Sequence, residues 1–215
     1  MPARIVIEQE AVHRLAALGL TVKIVSRAIQ HAEAEASTCT AFDPPVMGGF
    51  MRYGRTVRFL REDLVPLGWD YDNPRNLCRT INPGREFAIV STSGDEATGN
   101  PVVTPTTKYP KGYATVLAVE TNGQLGFDFS DMGIDDSSAD EESLATWFLL
   151  YHVNDDEIRS EISLPSAMEG GNISDWQERI ILPVIALDAE PLATRHRDEG
   201  DAEGDGEYVV EVNRR

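Results

Sequence analysis

The chain has 215 residues, 41% of them hydrophobic, which is enough for one domain or two small ones to bury a core without disulfide or metal staples. It carries 36 acidic against 19 basic side chains, a net charge of −17, and no run nears the roughly 18 to 20 apolar residues that a membrane helix needs. The opening MPARIVIEQE lacks the basic-then-apolar layout of a secretory signal, and Cys39 and Cys78 lack the CxxC spacing of a zinc or redox motif; the expectation is a soluble, cytoplasmic protein with no membrane partner and no cofactor.

Residues 4 to 7, RIVI, predict a short strand, followed by a helix through Ala11, Leu15 and Leu18 that Gly19 ends. From Thr21, the positions Ile24, Val25, Ala28, Ile29, Ala32 and Ala36 recur at three- and four-residue spacing and predict a helix with one buried stripe. Pro44-Pro45 and Gly48-Gly49 make residues 38 to 52 read as loop, and Val57, Leu60 and Leu64 mark a third helix that Pro66 terminates, with Trp69 packing at its end. After an irregular stretch, Phe87 to Val90 is the first strand of a β-rich half.

Residues 91 to 112 form a polar connection longer than a compact domain tolerates without structure of its own, so it is either mobile or functional. YATVLAVE and LGFDFS flank Asn122-Gly123, which predicts a hairpin with a type I′ turn. A second hairpin is predicted over 147 to 164 with Asn154, Asp155 and Asp156 at its tip and Pro165 closing its second strand. Asp175 to Leu182 fits a short helix or a strand, and from Asp188 the run DEGDAEGDGE is too polar to order itself. The fold class expected is therefore segregated α+β: an N-terminal helical part over 1–82, an antiparallel β-rich part built from hairpins over 83–187, and an acidic disordered tail over 188–215.

Charge is divided unevenly along this plan. Residues 1 to 90 hold 11 Lys and Arg against 10 Asp and Glu, whereas residues 91 to 215 hold 8 against 26. Only three of the basic residues are lysines, Lys23, Lys108 and Lys111, a bias that suits a salt-adapted or GC-rich prokaryotic source. Such asymmetry bears on partners and solubility, not on fold.

Four groups of residues are candidates for chemistry. Helix, Gly19-Leu20-Thr21, helix over residues 10 to 36 has the outline of a helix-turn-helix whose Lys23, Arg27 and Gln30 would face a major groove, although Leu15 occupies the position where that motif wants a small residue. Arg52, Arg55, Arg58 and Arg61 recur every three residues and suit phosphate or, more readily, carboxylates of a protein partner or of this same chain. In the polar connection, Ser93, Asp95, Thr98, Lys108 and Lys111 are where a ligand site is sought first. Glu120, Asp128 and Asp131 are the carboxylates a metal-dependent hydrolase would use, although the expected hairpin register turns Glu120 and Asp128 to opposite faces.

No nucleotide-binding, zinc or nucleophile motif occurs, and none of His13, His31, His152 or His196 lies in a recognisable catalytic pattern. The primary expectation is a non-catalytic accessory or binding protein that uses its acidic surface for protein contacts or self-assembly into an oligomer. The alternatives are a nucleic-acid-linked protein, by helix-turn-helix contact or by acidic mimicry of DNA, and a divalent-metal-dependent hydrolase or nuclease.

Overall fold

A computed structural model describes residues 3–125 and 144–187. The expected acidic tail, Asp128 and Asp131 lie outside the described residues. Arg4–Val6 forms strand β1, and helix α1 (Glu8–Ala17) and helix α2 (Val22–Ala36) follow. Gly19 takes the left-handed φ of 70° that lets the chain leave α1, and the Thr21 hydroxyl caps α2 by accepting the Ile24 amide at 3.2 Å. Helix α3 (Met47–Leu64) starts earlier than the glycines suggested: Gly48 and Gly49 sit in its first turn, because Pro44-Pro45 end the preceding loop and the helix then packs on α2. Val65, Pro66 and Leu67 close it as one tight turn, and Trp69 is buried behind it.

The irregular stretch after Trp69 contains two short strands, β2 (Asp70–Asp72) and β3 (Arg79–Ile81), before β4 (Phe87–Ser93). Helix α4 (Tyr113–Leu125) replaces the expected hairpin. Thr115, Val119 and Asn122 are its buried positions, spaced four and three apart as a helix requires, and Val119 packs on the sheet with Val90 and Phe148. Asn122 is not a turn residue. Its carboxamide donates to the Thr146 carbonyl at 2.8 Å and accepts the Thr146 amide at 2.7 Å, pinning the helix to the next strand.

Gly123 accordingly lacks the positive φ that a type I′ turn demands, and a Cβ there would meet nothing within 4 Å. Gly123→Ala is expected to raise stability by about 0.5–1 kcal/mol in urea melts, the helical preference of alanine over glycine. A loss of that size would restore the hairpin.

Strands β5 (Ala145–Val153), β6 (Glu157–Glu169), β7 (Asn172–Ile181) and β8 (Ile185–Ala186) complete the described residues. β5 and β6 form the expected antiparallel hairpin with its tip at residues 154–156. Pro165 does not close β6. The register shifts around Pro165, so a bulge absorbs the missing amide and the strand runs on to Glu169. The ambiguous Asp175 to Leu182 is strand as far as Ile181.

Among the described residues, all eight strands belong to one sheet in the order β1-β7-β6-β5-β4-β3-β2, with β8 on β6. It is mixed, not purely antiparallel: β4 pairs with β5 and β1 with β7 in parallel, and α4 lies in the crossover from β4 to β5. The hairpin description therefore holds for part of the sheet only, within a mixed α+β fold. Parallel strands covered on both faces read as unbroken apolar runs, which is why ATWFLLYHV shows little alternation. Phe87, Ile89, Trp147, Leu149 and Tyr151 face α1, α2 and α3 in one core, while Val90, Phe148, Leu150, Ile173 and Trp176 form a second cluster with Val119. Residues on either side of position 83 share that first core and the same sheet.

Candidate functional site

β3 pairs with β4 only at Thr80–Ile89 and Ile81–Ala88, whereas β4 continues four residues further. Ahead of β3, Arg75 and Asn76 both adopt left-handed φ, 49° and 64°, and carry the chain away from that edge. Further along, Thr107 bridges Gly94 and the Lys108 amide donates to the Ser93 carbonyl at 3.0 Å. Between these two coverings the edge of β4 opens on a cavity of about 680 Å³.

Several elements build its wall. Phe50, Arg52 and Tyr53 come from the start of α3; Asn76 and Leu77 from the turn before β3; Val90, Ser91, Thr92 and Ser93 from β4; and Lys108, Tyr109, Lys111 and Thr115 from the loop and first turn of α4. No Asp or Glu lines it among the described residues. Burial lowers the pKa of the Lys111 ammonium. Burial first, and then the neighbouring Cys78 thiol, push the Tyr53 phenol up. The Ser91 hydroxyl is buried without a hydrogen-bond partner.

The polar connection is held rigidly beside this cavity. Glu161 and Arg179, whose side chains are 0% and 2% exposed, form a bidentate pair at 2.6 and 3.0 Å. Arg179 also donates to the carbonyls of Asn100 and Val103, Glu161 accepts the Gly99 amide, and Trp176 Nε1 donates to the Pro105 carbonyl. Gly94 is required where the loop leaves β4: a Cβ there would collide with the Thr98 hydroxyl and stand 3.2 Å from Leu150 Cδ2.

These contacts divide the loop candidates. Ser93, Lys108 and Lys111 line the cavity. Asp95 and Thr98 instead hold the loop together, Asp95 by accepting the Ala97 amide, the Thr106 amide and the Thr106 hydroxyl, and Thr98 by packing against Gly94. The arginines of α3 all have partners within the chain. Arg52 forms a bidentate pair with Glu33, which raises its pKa, Arg55 pairs with Glu35, and Arg58 pairs with Glu62 at 2.7 Å. Arg61 donates to Asn73 Oδ1 and to the carbonyls of Asp72 and Arg79, and stacks on Tyr71 with its guanidinium carbon 4.6 Å from the ring centroid.

On α2, Arg27 pairs with Asp63 of α3, and Lys23 and Gln30 are exposed. Glu120 is an exposed residue of helix α4, not of a strand, so the two-strand arrangement imagined for a metal does not exist. Among the described residues no three His, Cys, Asp or Glu side chains come together as a metal site, and no helix is long and apolar enough to cross a membrane.

Tyr53, Ser91, Phe50, Tyr109 and Thr115 were not singled out from sequence. Ser91 alone had a signal: a buried apolar strand, FAIV, that continues as Ser-Thr-Ser places hydroxyls where core side chains belong. Compared with protein-family models, curated proteins and solved structures, the chain matches none.

Proposed function

We propose that this protein binds a small anionic ligand in the cavity at the edge of β4. One observation carries the reading: a chain of net charge −17 with three lysines places two of them, Lys108 and Lys111, in the wall of a cavity with no carboxylate among its described lining residues. Charge focused in a concave wall of one sign raises the local concentration of the opposite ion. Thr115 lies in the first turn of α4, a 13-residue helix whose N-terminal dipole adds to the attraction. A volume near 680 Å³ is that of sites that enclose small organic molecules.

The nucleic-acid reading has less support, since Arg27, Arg52, Arg55 and Arg58 are each paired with a carboxylate of the same chain. A phosphate would have to displace those partners.

Calorimetric titration of pyrophosphate at low ionic strength tests the proposal. Binding is expected, and Lys108→Ala with Lys111→Ala should weaken it at least about tenfold, the loss of two charge-assisted contacts. The pH dependence has a defined sign. Burial disfavours the charged Lys111, so its proton is lost at lower pH than that of a solvated lysine, and affinity falls as pH rises through that lowered pKa. The anion favours the ammonium and draws in a proton on binding, and Lys111→Arg flattens the profile because a guanidinium stays charged. If neither pyrophosphate nor any other small phosphate binds at millimolar concentration, the proposal is overturned.

A further inference from the structure

We propose that the ligand is a nucleotide, its phosphate on Lys108 and Lys111 and its base read by the backbone edge of β4 at Ser91. This rests on the anion-binding reading and adds the class of molecule. Two lysines and a phosphate account for only one part of a cavity of about 680 Å³, and the remaining wall is of another kind.

The register identifies that wall. Along a strand, the amide and carbonyl of one residue point to the same edge, and successive residues alternate between edges. The Asn82 amide donates to the Phe87 carbonyl and Thr80 stands opposite Ile89, so Phe87 and Ile89 point toward β3. The Ser93 carbonyl, on that same edge, accepts the Lys108 amide, whereas the Gly94 amide donates across the other edge to the Tyr151 carbonyl of β5. Ser91 lies between Ile89 and Ser93 and shares their edge. β3 has ended, and among the described residues no strand pairs there.

Ser91 is 3% exposed and lines the cavity, so it offers one backbone donor, one backbone acceptor and an unpartnered hydroxyl to whatever fills the space. Buried groups of this kind are satisfied by a partner in almost every folded protein. A donor and an acceptor side by side complement the Watson–Crick edge of a nucleobase, by which enzymes and binding proteins read an unstacked base. The rest of the wall suits the flat face of that base. Phe50 from α3 and Tyr109 from the loop line the cavity yet remain 66% and 59% exposed, and base stacking on such rings tolerates any base. Lys108 Nζ sits 5.7 Å from the Tyr109 ring centroid, which places cation and ring side by side.

The test is calorimetric titration of the full chain with the four ribonucleoside 5′-monophosphates, ribose 5-phosphate and pyrophosphate. At least one nucleotide is expected to bind tenfold or more tighter than ribose 5-phosphate, which has the same sugar and phosphate but no base. Phe50→Ala and Tyr109→Ala, at exposed positions whose truncation spares the core, should each weaken that nucleotide by about tenfold, the effect of losing one stacking ring, and leave ribose 5-phosphate unchanged. Lys108→Ala with Lys111→Ala should weaken both. If ribose 5-phosphate or pyrophosphate binds as tightly as every nucleotide, or the aromatic variants bind the nucleotide like wild type, the nucleotide proposal fails and the anion site stands. If nothing binds, both fall.

Discussion

Glu161→Ala is expected to lower the unfolding free energy by about 3–5 kcal/mol, because it leaves a fully buried guanidinium without its counter-charge. Glu161 accepts from Arg179, from the Ser163 hydroxyl at 2.8 Å and from the Gly99 amide at 2.9 Å, so four donors lose their acceptor at once. Chemical denaturation with constant m-value measures the loss. Glu161→Met with Arg179→Met removes both charges, and its cost should undercut the sum of the two single changes by on the order of 2 kcal/mol. Additive losses would mean that the two side chains do not act as one unit. The pair also tethers the loop that carries Lys108 and Lys111, so Glu161→Ala should weaken pyrophosphate binding without touching the cavity wall.

Asn122→Ala comes next in size, at about 2–4 kcal/mol, since it strands a buried amide and a buried carbonyl of Thr146 together. β4 and β5 are parallel and no tight turn joins them, so Asn122 is the clamp that sets where β5 begins against α4. Hydrogen exchange at the Thr146 amide is the local readout. Protection there should fall more than at Phe148 or Leu150, which keep their ladder partners in β4 and β6. Uniform loss across β5 would place the effect in global stability instead.

Asn122 also explains the principal misreading of the sequence. Asn-Gly between β-prone runs is a local signal, and local signals compete with burial. Here the apolar positions Val119 and Phe148 meet only if residues 113–125 are helical, and a carboxamide that finds two backbone partners in the core forms no turn. The same competition started α3 at Met47 despite two glycines and carried β6 through Pro165. Where burial and local preference agree, the reading from sequence matched the structure: α1 and α2 with their stripes, the Gly19 exit, the end of α3 at Pro66 and the β5–β6 hairpin.

For the site, residue chemistry was legible and geometry was not. The loop of residues 91 to 112 stood out for its length and its two lysines, and both lysines do line the cavity. Nothing in the spacing foretold that Asp95 and Thr98 would bind the loop together, that Arg52 and Arg55 of α3 would face Glu33 and Glu35 of α2, or that Phe50 and Tyr53 would come within one wall of Ser91.

The sequence by itself determined the charge, the absence of a membrane-length apolar run, the amphipathic stripes of the first three helices and the apolar content of the central strands. These follow from composition and from periods of two to four residues, which are properties of neighbours along the chain. Only the tertiary structure decided which strands pair in parallel, where β3 leaves the edge of β4, and that Ser91 lines a cavity. Each of these depends on residues tens of positions apart competing for the same hydrogen bonds and the same buried volume.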